Sequence, residues 1–581
     1  MTMTNAGNEL ADDLCLMRCL MSPDLARPAL LRGWSAEEGT LSCGEGTQRL
    51  GGLFDAFFES YWREFSSVRQ VEWRGTLYGG ARVTLLRRDA ESGDEHVLAQ
   101  WRGYGGEEGT LVVLSVSLAE AGESSLQIEI DDARGATFRD MGWCATVPPP
   151  RQVRLGLVIT TYDREAFVRA NLKKLAGQLS GHELLIVNHG LPGLGERLSD
   201  AAPPQMPVCF IDQDNSGGAG GFTRGMIEHY RSGRASHIML MDDDIDLPTD
   251  ILPRMAAILA WSDKPFCVGG AMFDYHARSH LFSAGDYLQP GGFGIDHVAP
   301  EGGCDVADAR GVDFLARIHN PDFNGWWCFA FPREALDIVG LPMPCFIRGD
   351  DVEYGYRLKR AGLPTVGWPG IAVWHLPFAA KSAAWHMFYD RRNSLFANSI
   401  HRRVGRSAAI RKLLGGFYHH LLRYDYDRVR AMTLGICAFN AGPAAMAAWT
   451  YREHNALMAD TRRNGDTALA AIGTVSSMAE PRRLHGLRRS VTMKGRLLAD
   501  LFLPRRKTAA LSLPADLVWR PDYVSRPSFV VEHDKDGEIR GAFRYDRWAT
   551  WRALWLCACA LTGMMRHFDQ PVPLAHVPKL R

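Results

Sequence analysis

The chain has 581 residues, which is too long for one ordinary hydrophobic core and indicates two to four domains. Apolar residues make up 46% and charged residues 23%, a composition typical of soluble proteins. The formal net charge of zero gives no overall field that would recruit a polyanion, so we expect no nucleic-acid partner.

The cysteines and the amino terminus bear on the compartment. The 12 cysteines are scattered without paired spacing, which predicts free thiols rather than a disulfide framework. The opening run MTMTNAGNELADD lacks a basic stretch followed by an apolar one, so we expect no secretory signal. Both features favour a reducing, cytoplasmic setting.

Residues 1–150 contain short runs of alternating or β-branched residues, such as ARVTLLRR, TLVVLSVSL and SLQIEIDD. Glycine-rich turns separate these runs, and several such strands predict an N-terminal β-sandwich domain. The run VPPP (Val147–Pro150) removes backbone donors and stiffens the chain, which marks the domain boundary.

From Val153 onward, strands alternate with helices. The runs VRLGLVIT, ELLIVN, VCFID and HIMLM predict strands, and REAFVRANLKKLAGQL predicts an amphipathic helix. A glycine-rich loop and a helix around Phe222–Ser232 precede the last of these strands. This alternation predicts a parallel sheet with crossover helices, a Rossmann-like nucleotide-binding sheet over residues 151–400. Ligands bind such sheets beyond the carboxyl ends of the strands.

Three consecutive aspartates follow an apolar run in SHIMLMDDDIDLP (Ser236–Pro248). Adjacent carboxylates repel, so the arrangement costs stability unless a cation lies among them. An isolated Asp-Asp-Asp is usually a solvated turn or a helix cap, but this one ends a predicted strand. Alternation puts Asp242 and Asp244 on one side and points Asp243 away. Two carboxylates on one side suit a hard divalent cation with open positions for diphosphate oxygens.

The glycine-rich segment QDNSGGAGGFTRG (Gln213–Gly225) follows the third predicted strand and does not fit the G-x-G-x-x-G dinucleotide fingerprint. A flexible loop is one interpretation. The other is that its glycines let the backbone approach a nucleotide closely, with Arg224 on the helix that follows. These glycines are Gly217, Gly218, Gly220 and Gly221.

A pair of acids opens a predicted helix in FIRGDDVEYGYRLKRAG (Phe346–Gly362). Helix capping with a favourable dipole interaction is one interpretation of Asp350, Asp351 and Glu353. The other is that one of them is a general base that deprotonates an acceptor hydroxyl. Helix geometry alone does not separate the three acids.

Two further motifs contain a histidine and a pair of tryptophans. His375 ends the apolar run IAVWH, where a lone histidine is usually structural but can complete a mixed oxygen and nitrogen metal site. Trp326 and Trp327 stand side by side in FNGWWCFAFP. Tryptophans usually belong to cores, although sugars also bind by stacking on them.

Beyond residue 400 the chain becomes helical and arginine-rich, which predicts a C-terminal helical domain over residues 401–581. Ala431–Tyr451 is uncharged but interrupted by glycine, asparagine and proline, and Trp551–Met565 is mostly apolar and flanked by tryptophan and arginine. Neither resembles a clean span of about 20 apolar residues. Buried helices are one interpretation, and an interfacial helix that makes peripheral contact with a membrane is the other.

Together these motifs resemble the GT-A glycosyltransferases of family 2, and more narrowly the bacterial galactofuranosyltransferases that extend cell-wall galactan from UDP-galactofuranose. The resemblance extends over about residues 55–400, whereas the C-terminal third matches only in general character. The motifs that carry it are FFESYWREFSSVR, TTYDRE, NSGGAGGFTRG, MDDDI, FNGWWCFAFP, GDDVEYGYR, GLPTVGWPGIAVWHLPF and RRN.

The resemblance implies a role for each matching residue. The metal ligands are expected to be Asp242, Asp244 and His375, which would hold Mn²⁺ or Mg²⁺. The catalytic base is expected to be Asp351, with Asp350 and Glu353 beside it. The residues expected to contact the nucleotide are Thr160, Arg164, Asn215, Gly217, Gly218, Arg224, Asp242 and Asp243. The residues expected on the acceptor side are Trp326, Trp327 and Asp390.

Two positions depart from the family pattern. Gly349 stands where the family has a tryptophan before the acid pair, and Asp390 stands where the family has a histidine. Both departures bear on acceptor recognition rather than on the metal or the nucleotide.

The sequence therefore predicts an inverting, metal-dependent transferase that moves galactofuranose from UDP-galactofuranose to a hydroxyl of a lipid-linked glycan. The resemblance further implies a GT-A domain between a β-sandwich and a helical region, a homotetramer, and peripheral action at the cytoplasmic face of the membrane. The alternatives are a GT-A transferase for another nucleotide sugar and a non-catalytic glycan-binding protein.

Overall fold

The structure is a computed structural model, and it describes most of the chain. The described residues are 14–19, 34–35, 39–178, 180–202, 208–301, 303–376, 383–461, 478–479, 495–503, 510–514, 527–533 and 539–569.

The amino-terminal region is mostly β, as predicted, and its strands pair antiparallel. Its elements are β1 (Cys15–Arg18), β2 (Trp34–Ser35), β3 (Thr40–Ser42), β4 (Gln48–Leu50), α1 (Glu59–Phe65), β5 (Gln70–Asp89), β6 (Glu95–Ser117), β7 (Ser124–Asp131) and β8 (Thr137–Ala145). The first part of β5 pairs with β8 and its second part with β7, while β6 runs along its other edge. All eight strands are thereby linked by hydrogen bonds into one continuous sheet.

The central region alternates strands and helices. Its strands are β9 (Leu155–Thr161), β10 (Glu183–Asn188), β11 (Val208–Asp212), β12 (His237–Met241), β13 (Ile245–Asp246), β14 (Cys267–Asp274), β15 (His280–Ser283), β16 (Asp286–Leu288), β17 (Ile295–His297), β18 (Cys304–Asp305), β19 (Cys328–Pro332) and β20 (Thr365–His375). Its helices are α2 (Glu165–Leu175), α3 (Leu194–Arg197), α4 (Gly217–Ser232), α5 (Ile251–Trp261), α6 (Ala309–Ala316), α7 (Ala335–Val339) and α8 (Asp350–Arg360).

The order of the central strands defines where a ligand can bind. Strands β11, β10, β9 and β12 lie side by side and parallel, and β19 continues the sheet antiparallel to β12. The chain therefore leaves β9 toward β10 on one side and returns as β12 on the other side. A crevice forms at such a switch point, beyond the carboxyl ends of the strands. The predicted nucleotide-binding type of sheet is confirmed.

The carboxy-terminal region is mainly helical, as predicted. Its helices are α9 (His386–His401), α10 (Arg406–Leu422), α11 (Tyr426–Asn440), α12 (Pro443–Ala447), α13 (Tyr451–Thr461) and a carboxy-terminal helix (Arg547–His567). This region also contains a small four-stranded sheet that the sequence patterns did not predict. Its strands are β21 (Met478–Ala479), β22 (Ala510–Pro514), β23 (Phe529–His533) and β24 (Ile539–Arg544).

Helix α1 joins the amino-terminal sheet to the central region. Its Tyr61 and Trp62 rings contact Trp368 of β20, and the Tyr61 hydroxyl donates to the carbonyl of Arg317 at 2.6 Å. On its other face, buried Glu59 accepts a 2.5 Å hydrogen bond from Arg87 of β5. The aromatic motif FFESYW is therefore a structural connection between the two regions.

The two apolar segments of the carboxy-terminal third behave differently. One face of α11 is buried, including Ala431, Met432 and Ile436, so the buried-helix interpretation holds for the α11 part of that segment, whereas residues 441–450 are mostly half-buried or exposed. The carboxy-terminal helix buries one face against α11 and exposes several tryptophans on the other. Among the described helices, none is both long and apolar enough to cross a membrane.

Candidate functional site

The topology brings Asp244 and His375 together. The chain leaves β12 at Met241, passes through the three aspartates, and enters β13, which pairs antiparallel with the end of β20. In this pairing Ile245 lies opposite His375. The residue before Ile245 is therefore held beside the imidazole, although the two lie far apart in the sequence.

The predicted metal ligands form one cluster. The Nε2 atom of His375 lies 3.0 Å from Asp244 Oδ1 and 3.6 Å from Asp242 Oδ2. The three ligand atoms all lie within 4.8 Å of one another. Asp244 and His375 are buried, whereas 40% of the Asp242 side chain is exposed. The cluster is therefore open to solvent on the Asp242 side.

The donor atoms of this cluster suit a divalent cation. His375 uses Nδ1 for a 2.6 Å hydrogen bond with the carbonyl of Leu376, so its Nε2 faces the two carboxylates. An imidazole oriented by a backbone carbonyl, together with carboxylate oxygens, is a common ligand set for Mn²⁺ and related ions. Burial lowers the pKa of His375, but the carboxylates of Asp242 and Asp244 raise it more, to about 9. The negative charge of the two carboxylates thus favours a cation at this site.

Asp243 lies outside this cluster, as strand alternation predicts. Its side chain is buried, and its carbonyl accepts a 3.1 Å hydrogen bond from Asn171 of α2. Burial raises the pKa of Asp243 to about 7, and the charges of Asp242 and Asp244 add to the shift. The structure therefore separates the middle aspartate from its two neighbours.

The carboxyl end of β9 contributes two of the predicted nucleotide residues. The guanidinium of Arg164 lies 3.7 Å from Asp244 Oδ2, so it is adjacent to the metal cluster. The hydroxyl of Thr160 is buried and has no hydrogen-bond partner among the described residues. This hydroxyl lies directly against Gly221, so it packs beneath the helix of the glycine-rich segment rather than facing the crevice.

Residues 213–216 of the glycine-rich segment form a loop, but the helix predicted around Phe222–Ser232 begins five residues earlier, at Gly217. Helix α4 already begins at Gly217, whose amide donates to Asn215 Oδ1 at 2.9 Å. A Cβ at Gly217 would collide with the carbonyl of Phe346, and one at Gly221 would collide with the Thr160 hydroxyl. These glycines therefore allow close packing of the helix start against both neighbours.

Two other members of this segment differ in their surroundings. A Cβ at Gly218 would meet nothing within 4 Å, so open space lies beside that residue. Arg224 faces along its own helix and donates to Glu228 at 2.9 Å. The structure therefore supports a role in ligand approach more for Gly218 than for Arg224.

The acid pair lies at the start of α8. The amide of Val352 donates to Asp351 Oδ1 at 2.7 Å, and the backbone amides of Asp350 and Asp351 lie near the Asp350 carboxylate. Burial raises the pKa of Asp350 to about 6, and the charge of Asp242 contributes to that shift. Burial also raises the pKa of Asp351, to about 8, with the charge of Asp350 adding to it. Asp351 is the more exposed of the two acids.

Glu353 is held in a buried ion-pair network. Arg357 donates to both of its carboxylate oxygens, and His401 Nε2 lies 2.9 Å from Oε1. Although burial raises its pKa, Arg357 and His401 bring the net value below that of an ordinary carboxyl. These contacts favour a structural role for Glu353 over contact with an acceptor hydroxyl.

Trp326 and Trp327 belong to the core. Only 5% and 8% of these residues are exposed. Trp326 packs edge-on against Phe222 and Tyr354, and the Trp327 indole donates to the carbonyl of Gly270 at 2.8 Å. So little exposed ring surface does not support stacking on a sugar. Trp327 instead positions the site, because its carbonyl accepts from the amide of Asp242.

Asp390 contacts a residue that the sequence patterns did not single out. Its carboxylate accepts hydrogen bonds of 2.6 and 3.3 Å from Arg348. The charge of Arg348 also acts on Asp350 and Asp351. Arg348 therefore lies between the acid pair and Asp390. Its place just before the acid pair was the only signal in the sequence.

Comparisons with known proteins agree with this geometry. Residues 150–393 match the family described as "Glycosyltransferase like family 2". The galactofuranosyltransferase GlfT2 of Mycobacterium tuberculosis (strain H37Rv) is 30% identical over 422 residues, which cover 67% of this chain and 64% of that protein. GlfT2 of Mycolicibacterium smegmatis is 29% identical over 414 residues, which cover 67% and 63%. This chain thus spans slightly less than two thirds of the length of these relatives.

Solved structures are more distant. The mannosyltransferase PcManGT of Pyrobaculum calidifontis, in complex with GDP-Man and Mn²⁺, aligns with 55% of this chain and 82% of that chain at 13% identity, with a TM-score of 0.31. A similarity at this level supports no inference about this chain. The resemblance to galactofuranosyltransferases inferred from the motifs is confirmed by the family match and by the two relatives.

Proposed function

Since residues 150–393 form a glycosyltransferase family 2 domain with a GT-A sheet, we propose that this chain is an inverting, metal-dependent galactofuranosyltransferase. Its donor would be UDP-galactofuranose and its acceptor a hydroxyl of a lipid-linked glycan. The resemblance of its motifs to galactofuranosyltransferases, together with the two curated relatives, supports this choice of sugar.

The proposal rests on two sets of side chains that lie near each other at the switch point of the sheet. One set can bind a cation, and the other is a pair of acids that can accept a proton. Asp242 and Asp244 follow β12 and meet His375 at the end of β20, and the acid pair of α8 is close enough for the charge of Asp242 to act on Asp350. One group of residues can therefore hold a leaving diphosphate through a cation while the other accepts a proton.

Asp242, Asp244 and His375 would hold the cation, Mn²⁺ or Mg²⁺. When bound, such an ion neutralises the negative charge that develops on a departing diphosphate. The chain's own contribution is to fix three donors within 4.8 Å and to leave the Asp242 side open for phosphate oxygens. Arg164 lies on the side where we place the uridine.

Asp351 is our choice for the general base. Its raised pKa makes it a stronger base than an ordinary carboxylate, and its partial exposure gives an acceptor access to it. As the acceptor oxygen bonds to the anomeric carbon, the bond from that carbon to UDP breaks and Asp351 takes the hydroxyl proton. Attack opposite UDP inverts the anomeric configuration, so an α-linked donor gives a β-linked product.

A donor screen tests the sugar. We expect UDP-galactofuranose to be turned over with short galactofuranosyl acceptors, with mass spectrometry showing added hexoses, and other UDP-sugars to react much more slowly. Efficient turnover of a different nucleotide sugar would keep the GT-A transferase and reject galactofuranose. Absence of UDP release with every donor, despite UDP binding, would instead favour a non-catalytic glycan-binding protein.

We place the enzyme at the cytoplasmic face of the membrane, as a peripheral protein. The carboxy-terminal helix exposes 80% of Trp548 and 65% of Trp555 beside the exposed Arg552. Tryptophan and arginine on one helix face suit the boundary between lipid headgroups and acyl chains. The family resemblance also suggests a homotetramer, which would present several such helices together.

Vesicle binding tests this placement. We expect the protein to float with anionic vesicles, to be released by high salt or a mild alkaline wash, and to lose most binding when Trp548 and Trp555 are replaced by serine. Replacing Tyr104, an exposed aromatic residue of β6, by serine is the matched control and should change nothing. If only detergent extracts the protein, or if the tryptophan variant binds normally, the proposal is wrong.

A further inference from the structure

The segment that leads into the acid pair, residues 345–349, is held in an unfavourable backbone conformation. Phe346, Arg348 and Gly349 have φ values of 66°, 63° and 86°, in the left-handed region. Only the glycine adopts this region without a steric penalty, and a bulky aromatic residue is rarely found there. Such a segment persists only where its surroundings determine it, and this pattern is common at active sites.

Two side chains of α9 hold this segment by its carbonyl groups. Asn393 Nδ2 donates to the carbonyls of Arg348 and Ile347 at 2.6 and 3.0 Å. It also donates to the carbonyl of Cys345 at 3.4 Å. Arg392 donates to the Cys345 carbonyl at 2.6 Å and, through Nε, to Asn393 Oδ1 at 2.9 Å. Both side chains are buried. The arginine therefore orients the amide so that its N–H groups face the segment.

The segment touches both halves of the candidate site. At Phe346 its carbonyl accepts a 3.1 Å hydrogen bond from the amide of Ala219, in the first turn of α4. At its other end, the Gly349 carbonyl accepts a 3.1 Å hydrogen bond from the amide of Glu353, in the first turn of α8. The same five residues thus connect the glycine-rich helix start with the helix that carries Asp351.

We propose that Asn393 is a positioning residue for the transfer reaction. By holding the carbonyls of Cys345, Ile347 and Arg348, it sets the position of Asp351 relative to the first turn of α4. Arg392 supports it by orienting its amide. The inference rests on the proposed function, because it assigns Asp351 as the base and the α4 end as the nucleotide side.

Replacing Asn393 by alanine removes these donors and tests the proposal. A small displacement of a catalytic group costs about ten- to a hundredfold in rate, so we expect kcat to fall by at least about tenfold. UDP is expected to bind more weakly, because the first turn of α4 loses its fixed neighbour. Asn393→Asp, which has the same size but no donors, should behave similarly if the alanine variant folds poorly.

The pH profile separates positioning from a general loss of stability. The charged groups that act on Asp351 are Asp350, Asp286 and Arg348, but burial is the largest cause of its raised pKa. A released segment admits water, so the pKa of Asp351 should fall. The acidic limb of kcat/KM should therefore move to lower pH in Asn393→Ala.

The matched control is Asn398→Ala. Asn398 is a buried asparagine of the same helix, and its amide donates to the carbonyl of Gly292 in a different loop. We expect it to lower the melting temperature comparably without moving the acidic limb or the UDP affinity. If Asn393→Ala loses no more kcat than this control, or leaves the acidic limb in place, the proposal is overturned.

Hydrogen–deuterium exchange makes the outcome independent of turnover. Peptides covering residues 345–352 should exchange faster in Asn393→Ala than in the parent, and those in Asn398→Ala should not. Unchanged exchange in both variants would overturn the role of Asn393. Absence of transfer with every donor in the parent protein would reject the proposed function, while exchange and UDP binding would still decide the positioning role.

Discussion

Replacing Asp244 by alanine is expected to reduce transfer to background while the fold stays intact. Asp244 is buried between His375 and Arg164, so it is the one acid of the cluster that contacts both a predicted ligand and a nucleotide-side cation. Its loss would leave one carboxylate and one imidazole, too few donors to hold Mn²⁺ or Mg²⁺ firmly. Turnover and circular dichroism of the purified variant measure the two effects separately.

Chelation tests the same site without a substitution. EDTA should abolish transfer, and added Mn²⁺ or Mg²⁺ should restore it. The matched control is Asp246→Asn, because the Asp246 carboxylate lies two residues further along and pairs with Lys174 and Arg278 instead. That variant should still show EDTA-reversible turnover. Full turnover in EDTA without added metal would contradict the assignment of the cluster as a metal site.

The parts of this site that the sequence predicts are those set by local patterns. The apolar run before Asp242 identifies a buried strand, and extending its alternation groups Asp242 with Asp244 and sets Asp243 apart, although the three aspartates lie in a bend between β12 and β13. The structure confirms that separation. The parallel pairing of β9, β10, β11 and β12 follows from their alternation with helices, which also predicts the edge of the sheet where ligands bind.

The parts that the sequence did not predict depend on contacts between distant segments. Nothing near His375 shows that it faces the aspartates, because the pairing of β13 with β20 decides this, and only the family resemblance pointed to it. The glycines of α4 suggested a loop because glycine disfavours helices, yet packing against Phe346 and Thr160 overrides that preference. The burial of Trp326 likewise follows from neighbours on other elements.

Asp351→Asn is expected to lose at least about a hundredfold in turnover, since removing a general base typically costs about 10²- to 10⁴-fold. The base assignment was not separable from the alternatives by helix geometry, and the structure now gives each acid different surroundings. UDP-sugar should bind normally to this variant, because Asp351 lies on the acceptor side of the proposed reaction. Turnover, UDP affinity by calorimetry and melting temperature measure the three effects.

The two neighbouring acids provide the comparison. Asp350→Asn removes a negative charge from the first turn of α8, where the helix dipole favours it, so we expect a loss of about 1 kcal/mol of stability and a smaller loss of turnover. Glu353→Gln breaks a buried ion pair with Arg357, which should cost on the order of 3 kcal/mol of stability. Near-normal turnover in Asp351→Asn, with collapse in Asp350→Asn, would move the base by one residue.

The pH dependence of stability adds a second test of Asp351. Its pKa in the folded protein, about 8, lies above the ordinary carboxyl value, so ionisation on raising the pH opposes folding. The contribution of Asp351 to the stability of the wild type is therefore greatest below the pKa that this carboxyl has in the unfolded chain. It declines as the pH rises toward 8. Asp351→Asn lacks this decline, so its melting temperature should rise relative to that of the wild type as the pH increases from about 4 to about 8. A difference that stays constant across this range would mean that Asp351 ionises as an ordinary carboxyl, and the argument for it as a strengthened base would fail.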